Sequence, residues 1–181
     1  MSDDAALRPD PSAALEAAYR RVRATRMAGL PFLNERLDVE AVGFAPWKGH
    51  WLGVVVTPWF MNLVVAPRDA AQWRSLPAGE KRRYRFPAGD YDFVSAVEDG
   101  VGEFFMCSLF SPVGEFDDHP TARFVAEHAL AALLDATNDE RAKDTAPGAP
   151  AAPGPIEQAR HAMDAPLSRR DLLRGRFLPG A

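Results

Sequence analysis

The single cysteine, Cys107, is the first residue whose side chain could do chemistry. It lies in the run FFMCSLF among apolar neighbours, and burial raises the pKa of a thiol and makes it unreactive. A cysteine–histidine hydrolase would also need His50, His119 or His128 within hydrogen-bond distance and oriented by a third group. Nothing in the spacing indicates this arrangement. We therefore interpret Cys107 as a small buried apolar residue, and an enzyme that uses its thiol is the alternative.

Asp117, Asp118 and His119 are adjacent and could in principle bind a metal. Adjacent acidic residues at a helix start more often cap the helix and interact favourably with its dipole. The sequence has no P-loop, dinucleotide fingerprint or nucleophile-elbow serine, and one cysteine cannot build a multi-thiolate or iron–sulfur site. We predict no catalytic residue, no metal and no cofactor, which leaves a binding role.

Composition narrows the class of binding partner. The 181 residues are 47% hydrophobic and 25% charged with a net charge of −4, which is typical of a globular domain and favours neither nucleic acid nor an anionic membrane. The acidic N-terminus lacks a signal-peptide pattern. The most apolar stretch, 51–67, is interrupted by Gly53, Pro58 and Asn62, so we predict no membrane insertion. We expect a cytoplasmic protein.

The elements that position these residues are two helices and a sheet. Residues 11–28 have helical apolar spacing, with Asp10 as a cap and Gly29 as a stop. Alternating or apolar runs predict strands at 37–41, 51–56, 61–66, 84–87, 93–97 and 103–110, with turns at 46–49 and 98–102. A second helix is predicted from Asp117 or Asp118 to about Thr137. This order indicates an α+β fold: a mainly antiparallel sheet with both helices packed on one face.

Two segments offer binding groups. Pro58 interrupts strand alternation, so Trp59, Phe60 and Met61 are predicted to bind a partner, with Trp59 and Met61 pointing to the surface; the alternative is that they pack under the second helix. A second run contains Glu115, Asp117 and Asp118, which can accept bidentate hydrogen bonds from guanidinium groups.

The composition also divides the chain. We predict a disordered N-terminus at 1–10, a domain at 11–138, an Ala/Pro/Gly-rich linker at 139–155 and a basic tail at 156–181. The tail contains Arg169 and Arg170 within the segment Leu167–Arg174 (LSRRDLLR). That segment resembles the twin-arginine export pattern S-R-R-x-F-L-K, but no long apolar stretch follows it.

The runs TPWFMNL at 57–63 and CSLFSPVGEF at 107–116 resemble the HybE/HupJ family of NiFe-hydrogenase assembly chaperones. The likeness includes Leu30-Pro31-Phe32-Leu33, Gly49-His50-Trp51, Phe86-Pro87-Ala88-Gly89 and Asp99-Gly100, and covers roughly residues 12–137. It implies a fold similar to secretion-chaperone-like domains and no established catalytic residue. The implied client is the precursor of the hydrogenase small subunit with its twin-arginine signal, and a rubredoxin-like accessory protein is a further partner that the resemblance allows.

One hypothesis connects the tail to this client. The tail imitates the client signal and occupies the same groove, with Glu115, Asp117 and Asp118 receiving Arg169 and Arg170. The alternatives are that the tail docks on the hydrogenase or stays disordered. For the whole protein, the alternatives to a chaperone are an enzyme that uses Cys107 and a structural accessory subunit that remains in the complex.

Overall fold

The computed structural model describes residues 7–139, which form one six-stranded antiparallel sheet with two α-helices. The elements are α1 (Ser12–Ala24), β1 (Glu40–Trp47), β2 (His50–Val56), β3 (Met61–Pro67), β4 (Lys81–Phe86), β5 (Gly89–Glu98), β6 (Gly102–Phe110), α2 (His119–Leu133) and a 3-10 turn (Ala136–Asn138). The strand order is β1-β2-β3-β6-β5-β4. The predicted α+β class and antiparallel sheet are confirmed.

The two helices lie on opposite faces of the sheet, so the prediction that both cover one face is wrong. In β2, Val54 and Val56 belong to the apolar cluster that contains α2, whereas Val55 belongs to the cluster that contains α1. Because successive side chains of a strand point to opposite faces, this split places one helix on each face. The uninterrupted apolar runs in β2 and β3 are what a strand buried on both faces requires.

Most element boundaries differ from the prediction by a few residues, but β1 spans Glu40–Trp47, where the strand was predicted at 37–41. The helix α1 ends at Ala24, and Asp10 is not its cap residue; Pro11 is, while the Asp10 carboxylate accepts a hydrogen bond from the Ser12 N–H at 2.8 Å. Strand β1 continues to Trp47, so the predicted turn at 46–49 is shorter. Lys48 and Gly49 both have positive φ (45° and 77°), which is the geometry of a two-residue hairpin turn.

The sheet is strongly curved. Trp47 on edge strand β1 stacks on Phe86 of the opposite edge strand β4, with ring centroids 4.4 Å apart and planes 12° apart. Helix α2 lies on the same face as this stack, and its last residue, Leu133, accepts a hydrogen bond from the Ala88 N–H at 3.1 Å. The curvature therefore encloses α2, while α1 packs on the outer face. Neither helix within residues 7–139 has the length and apolarity to cross a bilayer.

Candidate functional site

Two loops, residues 30–38 and 111–118, lie side by side and together form what we call the loop surface. The side-chain amide of Asn34 joins them, because its Nδ2 donates to the carbonyl oxygens of Val113 at 2.9 Å and Phe116 at 2.8 Å. The Asn34 backbone N–H also donates to the Pro58 carbonyl at 2.8 Å. One side chain thus fixes segments that are 79 and 82 residues apart in sequence.

Carboxylates dominate the charge of the loop surface. Its ionisable side chains are Glu35, Asp38, Glu115, Asp117 and Asp118 against the one arginine, Arg36. Glu115 is exposed, and Asp117 is 92% exposed and lies 3.5 Å from Arg36. Asp118, however, is the N-cap of α2 and accepts the Thr121 N–H at 2.7 Å. The predicted acidic residues thus lie on one loop, Asp118 stabilises the helix, and the binding role of the three stays a prediction.

Exposed apolar side chains lie on the same surface. Phe32 is 51% exposed and Leu30 is 36% exposed, and Phe32 is only two residues from Asn34. These residues carry part of the family resemblance, but they were not predicted to form a binding group. The available signal was an apolar run, Leu30 to Leu33, placed directly after a helix stop and outside any periodic element. Contiguous exposed apolar patches rimmed by polar residues are typical of interaction surfaces.

Trp59, Phe60 and Met61 lie elsewhere and mostly inside. Met61 is fully buried in the cluster that contains α2, and Trp59 is 9% exposed and contacts the Tyr19 ring of α1 edge-on at 6.2 Å. The expectation that Trp59 and Met61 point to the surface is wrong. The Thr57 hydroxyl oxygen accepts the Phe60 N–H at 2.9 Å and closes a tight turn, so alternation resumes at once in β3. Phe60 is half-buried against Tyr19, 5.2 Å away, and its role in binding stays a prediction.

His119 connects β1 to α2. Its Nδ1 accepts the Asp38 N–H at 3.1 Å, which places the proton on Nε2, 2.6 Å from a Glu40 carboxylate oxygen. The other Glu40 oxygen is 2.9 Å from Arg123. These contacts give His119 a structural role, which is to join β1 to α2. Within residues 7–139, no three His, Cys, Asp or Glu side chains are grouped so as to hold a metal ion.

Cys107 is half-buried at the margin of the α2 cluster, opposite Leu63 of β3. The expectation of full burial is therefore corrected: β6 is covered by less protein at this position than its apolar sequence suggests.

His50 packs between Trp73 and Tyr84, with ring centroids 5.5 Å and 6.1 Å away. His119 pairs with Glu40, and His128 contacts the Phe124 ring at 3.9 Å. Each of these three histidines has structural neighbours within the described residues.

Arg169 and Arg170, the remaining predicted partner-binding residues, lie outside the described residues. The predicted linker and basic tail also lie outside them, apart from Asp139, as do the first six residues of the predicted N-terminal segment.

Comparisons with known proteins give consistent matches. A family model described as NiFe-hydrogenase assembly chaperone HybE matches residues 10–175. The hydrogenase expression/formation protein HupJ of Bradyrhizobium diazoefficiens is 38% identical over 161 residues, which cover 89% of this chain and 85% of that protein. A probable rubredoxin HupJ of Rhodobacter capsulatus is 37% identical over 125 residues, 69% of this chain but 45% of that protein. The solution structure of HybE from Escherichia coli aligns with a TM-score of 0.60 at 27% identity, covering 72% of this chain and 80% of that one.

Proposed function

Because the chain belongs to the HybE family of NiFe-hydrogenase assembly chaperones, we propose that it binds the precursor of the hydrogenase small subunit during maturation. Such a precursor is held before export, so we place the protein in the cytoplasm. The role requires a surface for an unfinished polypeptide and no reactive group. We accordingly propose that the protein is not an enzyme.

We propose that the loop surface contacts the client's twin-arginine signal. Glu115 and Asp117 are exposed carboxylates on one short loop, and a pair of guanidinium groups can form bidentate hydrogen bonds with them. Leu30 and Phe32 on the neighbouring loop can cover the apolar residues that follow the arginine pair in such signals. The observation that carries the proposal is that Asn34 joins the loop with exposed apolar side chains to the loop with exposed carboxylates.

The energetics require both parts of the surface. An exposed ion pair contributes only about 0 to 1 kcal/mol, so two arginines alone would bind weakly and lose affinity with salt. Burial of apolar area contributes about 25 cal/mol per Å², so covering the Phe32 ring supplies a comparable or larger amount. We therefore expect Phe32 to be the side chain whose removal costs most.

The test uses the full chain and a labelled synthetic peptide carrying the twin-arginine signal of a NiFe-hydrogenase small subunit. Fluorescence anisotropy should show saturable binding that weakens about tenfold in F32A, and less in E115Q/D117N. A peptide with Lys-Lys in place of Arg-Arg should bind more weakly, because lysine lacks the bidentate fork. V97A is the matched control, since Val97 is 59% exposed in β5 and lies outside both loops. Equal affinity of F32A and wild type would remove the loop surface as the site.

Two measurements distinguish the chaperone from the alternatives, an enzyme that uses Cys107 and a structural accessory subunit. C107S should bind the peptide as the wild type does; loss of function confined to this variant would favour thiol chemistry. A chaperone should be recovered with the unprocessed small subunit and be absent from mature hydrogenase, whereas a structural subunit would be found in both. Because the Rhodobacter capsulatus relative is described as a probable rubredoxin, we propose a rubredoxin-like accessory protein as a second partner, and the same recovery experiment tests it.

A further inference from the structure

We propose that the chain's own segment Leu167–Arg174 docks on the loop surface and competes there with the client. The proposal rests on the proposed function for the identity of the competitor, but the docking itself does not. Its basis is the charge and apolar character of the loop surface, the matching character of one segment of the same chain, and the length of chain that joins them.

The charges and apolar groups are complementary. Loops 30–38 and 111–118 carry five carboxylates and one arginine, and Arg23 of α1 already pairs with Glu35 at 2.6 Å and Asp38 at 3.3 Å. Glu115 and Asp117 are exposed acidic side chains on the other loop, which Asn34 joins to the loop that carries exposed Phe32. The segment LSRRDLLR has three arginines, one aspartate and three leucines. Its arginine pair fits the two carboxylates, and its leucines fit the apolar side chains.

The connecting chain is long enough to allow this contact. The described residues end at Asp139, just beyond the C-terminal end of α2, whereas loop 111–118 leads into the N-terminal end of the same helix. Helix α2 has 15 residues and is therefore about 22 Å long at 1.5 Å per residue. The 29 residues between Asp139 and Arg169 can span at most about 100 Å. The segment can therefore reach the loop surface without any rearrangement of the domain.

Tethering makes a weak contact effective. A segment joined by a short linker meets its site at an effective concentration on the order of millimolar. If its intrinsic dissociation constant is about a tenth of that concentration, it weakens the apparent affinity of any competitor about tenfold. A client with more apolar surface around its arginine pair would still displace it. The segment would thus exclude short or poorly matched basic peptides from the surface.

The first test measures docking without a client. Full-length wild type, R169A/R170A and the charge-matched control R160A/R176A are compared by the amide NMR resonances of residues 30–36 and 111–118. Loss of docking should shift these resonances in R169A/R170A and leave them unchanged in R160A/R176A. Unchanged resonances in R169A/R170A, or equal shifts in both variants, would overturn the proposal.

The second test measures competition with the labelled signal peptide. R169A/R170A should bind it about tenfold more tightly than wild type and R160A/R176A, and the gain should shrink when salt screens the charges. Unchanged affinity would overturn competition. If the loop resonances respond to R169A/R170A while no variant binds the peptide, the proposed client is wrong and the intramolecular docking stands.

Discussion

His50 is a polar residue in an apolar setting. Its ring packs edge-on against Trp73 and Tyr84 with ring centroids at 5.5 Å and 6.1 Å, and its buried Nδ1 has no hydrogen-bond partner among residues 7–139. Burial, and secondarily the positive charge of Arg82, lower the pKa of His50 below its ordinary value of 6.5, although Asp69 acts in the opposite direction. The folded protein therefore resists protonation of this ring more than the unfolded chain does.

The pH dependence of stability follows from this difference. Because the unfolded state binds the proton more readily, the stability that the neutral ring contributes is present above pH 6.5 and declines as the pH falls towards the folded pKa. H50F keeps the ring contacts and removes the ionisable group. We expect urea denaturation to show a smaller loss of stability between pH 7 and pH 5 for H50F than for wild type. Parallel losses in the two proteins would show that His50 titrates equally in both states.

At the scale of elements, the acidic residues of one loop have two different roles: Asp118 stabilises α2, and Glu115 and Asp117 are proposed to bind the client. Asp118 caps α2 through the Thr121 N–H, whereas Asp117 extends into solvent. We expect D118A to lower the free energy of unfolding by about 1 kcal/mol, with affinity for the signal peptide changed less than twofold. E115Q/D117N should show the reverse pattern, weaker binding with nearly unchanged stability. A binding loss in D118A as large as in E115Q/D117N would assign Asp118 to the client as well.

Strands were predictable from the sequence because their signals are local. Period-two alternation, apolar runs and turn residues indicated a strand that overlaps each of the six, but the first was predicted at 37–41, whereas β1 spans Glu40–Trp47. Leu37 and Val39 alternate as strand residues do and are buried, yet the Asp38 N–H bonds to His119 instead of to a neighbouring strand. That partner is 81 residues away, and nothing in the local pattern indicates it.

The prediction that both helices pack on one face of the sheet was wrong for a related reason. Both helices have an apolar face, and such a face does not say which side of a sheet it meets. The sequence signal that both faces are covered lies in β2 and β3. Their residues are buried in unbroken runs from Leu52 to Val56 and from Met61 to Pro67. Only part of the candidate site could be predicted from the sequence. The acidic residues were identified, but Leu30 and Phe32 were missed, because Asn34 joins their loop to one that is distant in sequence.

At the scale of the whole molecule, glycine positions show how tightly the curved sheet is packed. A Cβ on Gly53 in β2 would lie 2.4 Å from the Phe44 ring, and one on Gly43 in β1 would lie 2.8 Å from the Leu130 side chain of α2. Close approach of this kind on both faces leaves β1 and β2 little freedom. The loop surface is therefore held by a body whose two faces are each covered by a helix.

The contact between the two edge strands should be the weak point of that body. Trp47 of β1 stacks on Phe86 of β4 and lies under the Lys48 ammonium group, 5.1 Å from the ring centroid. Lys48 also donates to the Arg85 carbonyl of β4 at 3.2 Å. Because β1 and β4 are at opposite ends of the strand order, no ladder hydrogen bonds connect them, and the curvature depends on these side chains.

W47A should therefore lower the free energy of unfolding by about 3 kcal/mol and increase amide hydrogen exchange in β1 and β4 more than in the central strands. L134A is the control, since Leu134 is 42% exposed at the end of α2 and should cost less than about 0.5 kcal/mol. Faster exchange at both edges with β3 still protected would show that the stack holds the curved sheet closed. Uniform exchange across all strands would mean instead that Trp47 contributes only to global stability, and that the curvature is set by the central strands and α2.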